Sequence, residues 1–240
     1  MVTQKSTFIY FYIIICIAAI FTCYMEWMLL HYISRVLIVP SLIYLLMINY
    51  KKFEHPLIPL LITATFFKFL GDIFFLIDVE VVLFRLFAIC TFTVANVGYG
   101  LMYFFSFQKK QKKKIDHYYL PEIILIVVIT AALYMLFPFF GMFQIPAVIY
   151  MAFYCFTLVA MARRRKYVSK KTYLPVFVGT MFFLSSDILH GLGVFFNNPL
   201  HEALILVSFS LGHYFIIHGM AIQFKEEVRK ETLVINPLVV

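Results

Sequence analysis

Charge is scarce in this sequence. Only 13% of its 240 residues are charged and 63% are hydrophobic. A soluble globular domain carries about a quarter charged residues and is nearer half apolar. A soluble core of this length cannot bury so much apolar surface, so the solvent implied is lipid. The chain also lacks long linkers, low-complexity segments and any stretch that reads as a soluble domain. Its four cysteines, at 16, 23, 90 and 155, form no C-x-x-C pair and all fall in apolar runs. That excludes a disulfide framework and a zinc knuckle and leaves packing as their role. No cofactor is expected.

What is present is hydrophobic length. A spanning helix needs about 20 mainly apolar residues, and only helices or closed barrels satisfy their backbone groups in lipid. The runs here are continuous rather than alternating, so the fold class expected is all-α, a polytopic membrane bundle. Eight spans can be placed: Phe8–Met25, Val36–Tyr50, Leu57–Ile77, Val81–Phe107, Leu120–Phe137, Phe143–Ala162, Tyr173–Phe196 and Leu200–Phe224. Residues 1–224 form one transmembrane domain and 225–240 a short cytoplasmic tail. The first span reads as an anchor rather than a signal peptide, because Cys23, Tyr24 and Met25 stand where small residues would mark cleavage.

The basic residues set the orientation. With the N-terminus inside, the lysines of KKQKKK, the basic residues of RRRKYVSKK, Lys51, Lys52 and the tail all fall on the cytoplasmic side. Of twenty basic residues, only Arg35 falls outside, and Lys68 and Arg85 fall within spans. The net charge of +8 is therefore a topology signal, and nucleic acid is not an expected partner; the bilayer is. The compact, loop-poor build suggests a bacterial inner membrane.

One internal echo is visible. MFFLSSDIL (181–189) aligns with FFKFLGDIF (66–74), and FSLGH (209–213) with FTVAN (92–96). Spans three and four would thus repeat as seven and eight, a parallel 4+4 arrangement.

Ionisable groups deep in a membrane are costly and are functional candidates by default. Asp72 and Asp187 lie in two spans that run the same way, each about 21–22 Å from the inner side at 1.5 Å per residue. Asn96, Tyr99 and His213 reach the same layer from descending spans. His190 stands one turn above Asp187, and Ser186 adjoins that aspartate. Lys68 and Asp72 are i, i+4 and are expected to neutralise each other. Arg85 enters the fourth span from outside and is expected to approach Asp72. Asp187 has no cation near it in sequence, so it is expected to be a proton donor with Asp72 as its ionised partner. The plainer role for each of these groups is an interhelical hydrogen bond. A metal site would need three convergent ligands, and none can be read.

The segments LGDIFFL, FFLSSDIL and ALILVSFSLGHYF resemble the YhhN-like family of multi-span membrane proteins, which includes the lysoplasmalogenases. The resemblance implies eight spans and places the family's paired aspartates on Asp72 and Asp187, with Gly71 and Ser186 as neighbours. The family's fourth span usually carries a histidine three residues before a tyrosine; here Asn96 precedes Tyr99. His213 stands where glutamine is frequent, and Lys68 where a small or apolar residue is usual. The activity implied is hydrolysis of the vinyl ether bond of a lysophospholipid by acid catalysis, with Arg85 or Arg35 meeting the phosphate. A transporter using Lys68, Asp72, Asp187 and His213 as an ion path, or a sensor or scaffold without turnover, are the other classes open.

Overall fold

The structure is a computed structural model, and it describes residues 3–50, 55–77, 82–108, 119–193 and 198–235. Lys51, Lys52, the lysine loop at 109–114, Val81 and Phe196 lie outside the described residues.

Apolar runs become helices because lipid offers the backbone no other partner. Eight α-helices follow in order: α1 Thr3–Tyr24, α2 Met28–Tyr50, α3 Ile58–Ile77, α4 Val82–Gln108, α5 Leu120–Leu136, α6 Gln144–Arg163, α7 Lys170–Leu192 and α8 Pro199–Ile235. Short 3-10 turns join α5 to α6 and α6 to α7. Among the described residues, seven helices are long and apolar enough to cross a membrane, and α1 contributes the shorter apolar stretch Ile9–Tyr24. Proline marks several helix starts, as at Pro59 and Pro199, where its missing N–H costs nothing. The protein is an all-helical, polytopic membrane bundle.

Two boundaries differ from the expectation. Helix α2 begins at Met28, well before Val36, and so takes Arg35 out of the outer loop and into the span. A charge that finds a counter-charge on the next helix no longer ends a hydrophobic segment, and hydropathy cannot see such compensation. Helix α8 continues beyond Phe224 to Ile235, so the first part of the expected tail is helical.

Large side chains such as Tyr134, Ile145 and Leu29 point outward. This face would be a liability in water and is a lipid contact here. Inside, small residues let helices close in. A Cβ on Gly98 would lie 2.9 Å from that of Ala64, and one on Gly179 would lie 2.8 Å from the Ile216 backbone nitrogen. These contacts seam α3 to α4 and α7 to α8, the two most extensive helix pairs in the bundle.

The spacing that separates Asp72 from Asp187 recurs elsewhere. It also separates Glu26 from Gly141, the two described residues with positive φ (57° and 51°), each in the turn between the first two helices of its half. It separates Thr65, paired with Tyr99 at 2.9 Å, from Thr180, paired with Tyr103 at 3.1 Å.

Candidate functional site

The interior holds two buried ion pairs. Arg35, on α2, grips Asp72 on α3 with both edges of a fork: Nε donates to Oδ2 at 3.0 Å and Nη2 to Oδ1 at 2.7 Å. Both side chains are buried. A bidentate guanidinium–carboxylate pair is the strongest form such a contact takes. Arg35 also faces Glu202, in the first turn of α8, at 3.6 Å.

Lys68, one helical turn before Asp72, does not pair with it. Its Nζ donates to Asp187 on α7, at 2.8 Å to Oδ1 and 3.1 Å to Oδ2. Sequence spacing allowed the i, i+4 contact, but Arg35 already saturates Asp72, and the long lysine chain reaches across to the unpaired carboxylate. Tyr150 on α6 donates its hydroxyl to Asp187 Oδ2 at 2.6 Å. Lys68 has no exposed surface, and its ammonium also lies over the rings of Phe92 and Phe183, at 4.4 and 5.1 Å. Asp187, expected to lack a cation, therefore holds one. Tyr150 stands to Asp187 in sequence as Arg35 stands to Asp72, so the second helix of each half supplies a donor to the aspartate of its third.

The two centres are joined by histidines. His190 donates from Nδ1 to the Ser186 carbonyl at 3.0 Å and packs on Phe75, its counterpart at the repeat spacing. It lies within electrostatic range of Arg35, Asp72, Asp187 and Glu202. His213, on α8, lies in range of Lys68 and Asp72, and its ring stands edge-on to Phe183 and Phe209.

Several polar atoms around the Lys68–Asp187 pair have no partner among the described residues. They are both nitrogens of His213 and the hydroxyl of Tyr154, all fully buried; the amide of Asn96, also buried, faces the Tyr150 hydroxyl. A buried polar group left unpaired costs about 1–3 kcal/mol. The other expected residues are placed differently. Tyr99 bonds Thr65 and stacks near Phe183, below the charged layer, and Ser186 donates weakly to the Ile205 carbonyl at 3.4 Å. Arg85 makes no ion pair with Asp72; its Nε is buried without a partner among the described residues. No group of three or more His, Cys, Asp or Glu side chains among the described residues could hold a metal.

Arg35, Tyr150, Tyr154 and Glu202 enter the site beyond the residues the sequence brought together. Tyr150 and Tyr154 had no signal of their own in a chain with sixteen tyrosines. Only the repeat spacing from Asp187, set against that from Asp72 to Arg35, would have found Tyr150.

The family model for the YhhN family matches residues 30–220, a range that contains every residue of this cluster. No curated protein and no solved structure matches the chain.

Proposed function

The chain belongs to the YhhN family, and from that premise we propose that it is a membrane hydrolase cleaving the vinyl ether bond of a lysophospholipid. The observation that carries the reading is the buried Lys68–Asp187–Tyr150 centre, with Asn96 beside Tyr150 and the polar atoms of Tyr154 and His213 unpartnered among the described residues.

Vinyl ether hydrolysis needs a proton for the β-carbon and a fixed negative charge beside the oxocarbenium ion that results. Water then adds to the cationic carbon and returns its proton. The hemiacetal so formed collapses to an aldehyde and the free glycerol hydroxyl. Asp187 lies between an ammonium and a phenol, so the transferable proton belongs to the Lys68–Asp187–Tyr150 group as a unit rather than to one carboxylic acid. Asp72, gripped by Arg35, supplies the fixed charge. Asn96, Tyr154 and His213 offer the hydrogen bonds that would hold water and the ether oxygen. Burial in a low-dielectric interior strengthens each of these interactions. A single-chain lipid would enter sideways from the bilayer.

The test is aldehyde release from a lysoplasmalogen by the purified chain in detergent, where no gradient exists. Asp187→Asn should lower that rate at least about a hundredfold, the low end of what a positioned acid–base group contributes. Absence of release by the parent chain, with solute movement in proteoliposomes, would replace this reading with the carrier.

A further inference from the structure

The guanidinium of Arg35 has one strong and one weak partner. Asp72 takes Nε and Nη2 at 3.0 and 2.7 Å. The remaining nitrogen, Nη1, faces Glu202 Oε2 at 3.6 Å, beyond hydrogen-bond distance. Arg35 is only 7% exposed at its side chain, whereas Glu202 is 44% exposed. Asp72 alone neutralises Arg35, so Glu202 is a surplus carboxylate in a long, solvent-open pair. At 3.6 Å the contact makes no hydrogen bond, so Glu202 holds Arg35 by charge alone.

We propose that the free edge of Arg35 is a phosphate-binding site, and that Glu202 is the displaceable anion that covers it when no ligand is bound. A phosphate oxygen at hydrogen-bond distance makes a shorter, charge-assisted bond that Glu202 does not make at 3.6 Å. Glu202 can swing outward, because nearly half of its side chain is already open. The position suits a headgroup whose chain continues inward. Arg35 grips Asp72, and Phe75, one turn beyond Asp72 on α3, packs on His190, one turn beyond Asp187 on α7. The ligand class is a phosphate ester on a single-chain amphiphile, or free phosphate with the same chemistry. The inference rests on the lipid-substrate reading above only for the chain that follows the phosphate.

The experiment measures binding to the full chain in non-ionic detergent, read by native mass spectrometry and by the emission of Trp27, the single tryptophan, in the turn between α1 and α2. The probe is acyl lysophosphatidylglycerol, which has an ester and no vinyl ether, so the result does not depend on turnover. Glu202→Gln should bind it about tenfold more tightly than the parent, the size of one charge-assisted hydrogen bond made without competition. Glu202→Asp should stay close to the parent, and a monoacylglycerol of the same chain should bind all three equally. If inorganic phosphate alone binds Glu202→Gln more tightly, the site takes the free ion; if only the lipid does, the headgroup is the source; either result supports the site. An unchanged or weaker affinity in Glu202→Gln, or an equal increase for monoacylglycerol, overturns it. Failure of aldehyde release from lysoplasmalogen, with the tighter binding by Glu202→Gln intact, would remove the hydrolase reading and leave the phosphate site standing.

Discussion

Lys68 has no exposed surface, and its ammonium meets the Asp187 carboxylate and lies over two aromatic rings. Its removal would leave Asp187 with the Tyr150 hydroxyl alone. Breaking a buried pair on one side costs about 3–5 kcal/mol, because the remaining charge is stranded. Lys68→Met should therefore lower the thermal midpoint in detergent sharply. The double variant Lys68→Met with Asp187→Leu should recover most of that loss, since it strands no charge and leaves only the Tyr150 hydroxyl without its acceptor. A double variant as unstable as the single one would mean that Lys68 acts through packing and not through its charge. At this scale the sequence was half legible. Charges in lipid stand out, so Asp72, Asp187 and Lys68 could be singled out and the depth of the aspartates reckoned. Their pairing could not be read, because it depends on which side chain reaches furthest across a gap. The i, i+4 rule names a neighbour but not a winner, and here the bidentate Arg35 wins Asp72.

Helix α7 meets α8 through glycine. A Cβ on Gly179 would come within 2.8 Å of the Ile216 nitrogen and 2.9 Å of the Gly212 carbonyl oxygen, both backbone atoms of a helix that cannot yield locally. Gly179→Ala must push α8 away, and overpacking of this kind costs about 1–3 kcal/mol. Because α8 carries His213 and Glu202, the same shift should also disturb the charged layer. Gly141, by contrast, has φ of 51° and nothing within 4 Å of a built Cβ, so Gly141→Ala meets only the left-handed backbone cost of about 1–2 kcal/mol. Thermal unfolding should rank Gly179→Ala below Gly141→Ala only if crowding exceeds that cost; probe binding should separate them cleanly, with Gly179→Ala impaired and Gly141→Ala like the parent. Equal binding in both would show that α8 does not position the site. The helices themselves were legible because each is a long apolar run. The start of α2 was not, because Arg35 reads as a loop residue until its partner on α3 is known.

At the scale of the whole molecule, the halves share more than a pair of aspartates. One spacing relates the left-handed turn residues Glu26 and Gly141, the carboxylate donors Arg35 and Tyr150, and the aspartates Asp72 and Asp187. It also relates pairs that touch one another: Lys68 lies over Phe183, and Phe75 packs on His190. Contacts between equivalent residues are what a pseudo-two-fold axis between α3 and α7 would produce. In a parallel repeat, with four helices between the copies, that axis would run along the membrane normal and equivalent turns would face the same side. If the basic residues at 163–171 lie on the cytoplasmic side, as the charge asymmetry of the sequence predicts, that side is the one opposite the cytoplasm. In a chain whose native cysteines are replaced, a single cysteine at Glu26 or at Met142 should react with a membrane-impermeant maleimide in intact cells. One at Lys170 should react only after the membrane is opened. Labelling of positions 26 and 142 from opposite sides would break the parallel repeat and the common depth of Asp72 and Asp187. Labelling of position 170 alone in intact cells would keep the repeat but invert the protein, moving Arg35 and Glu202 toward the cytoplasmic face.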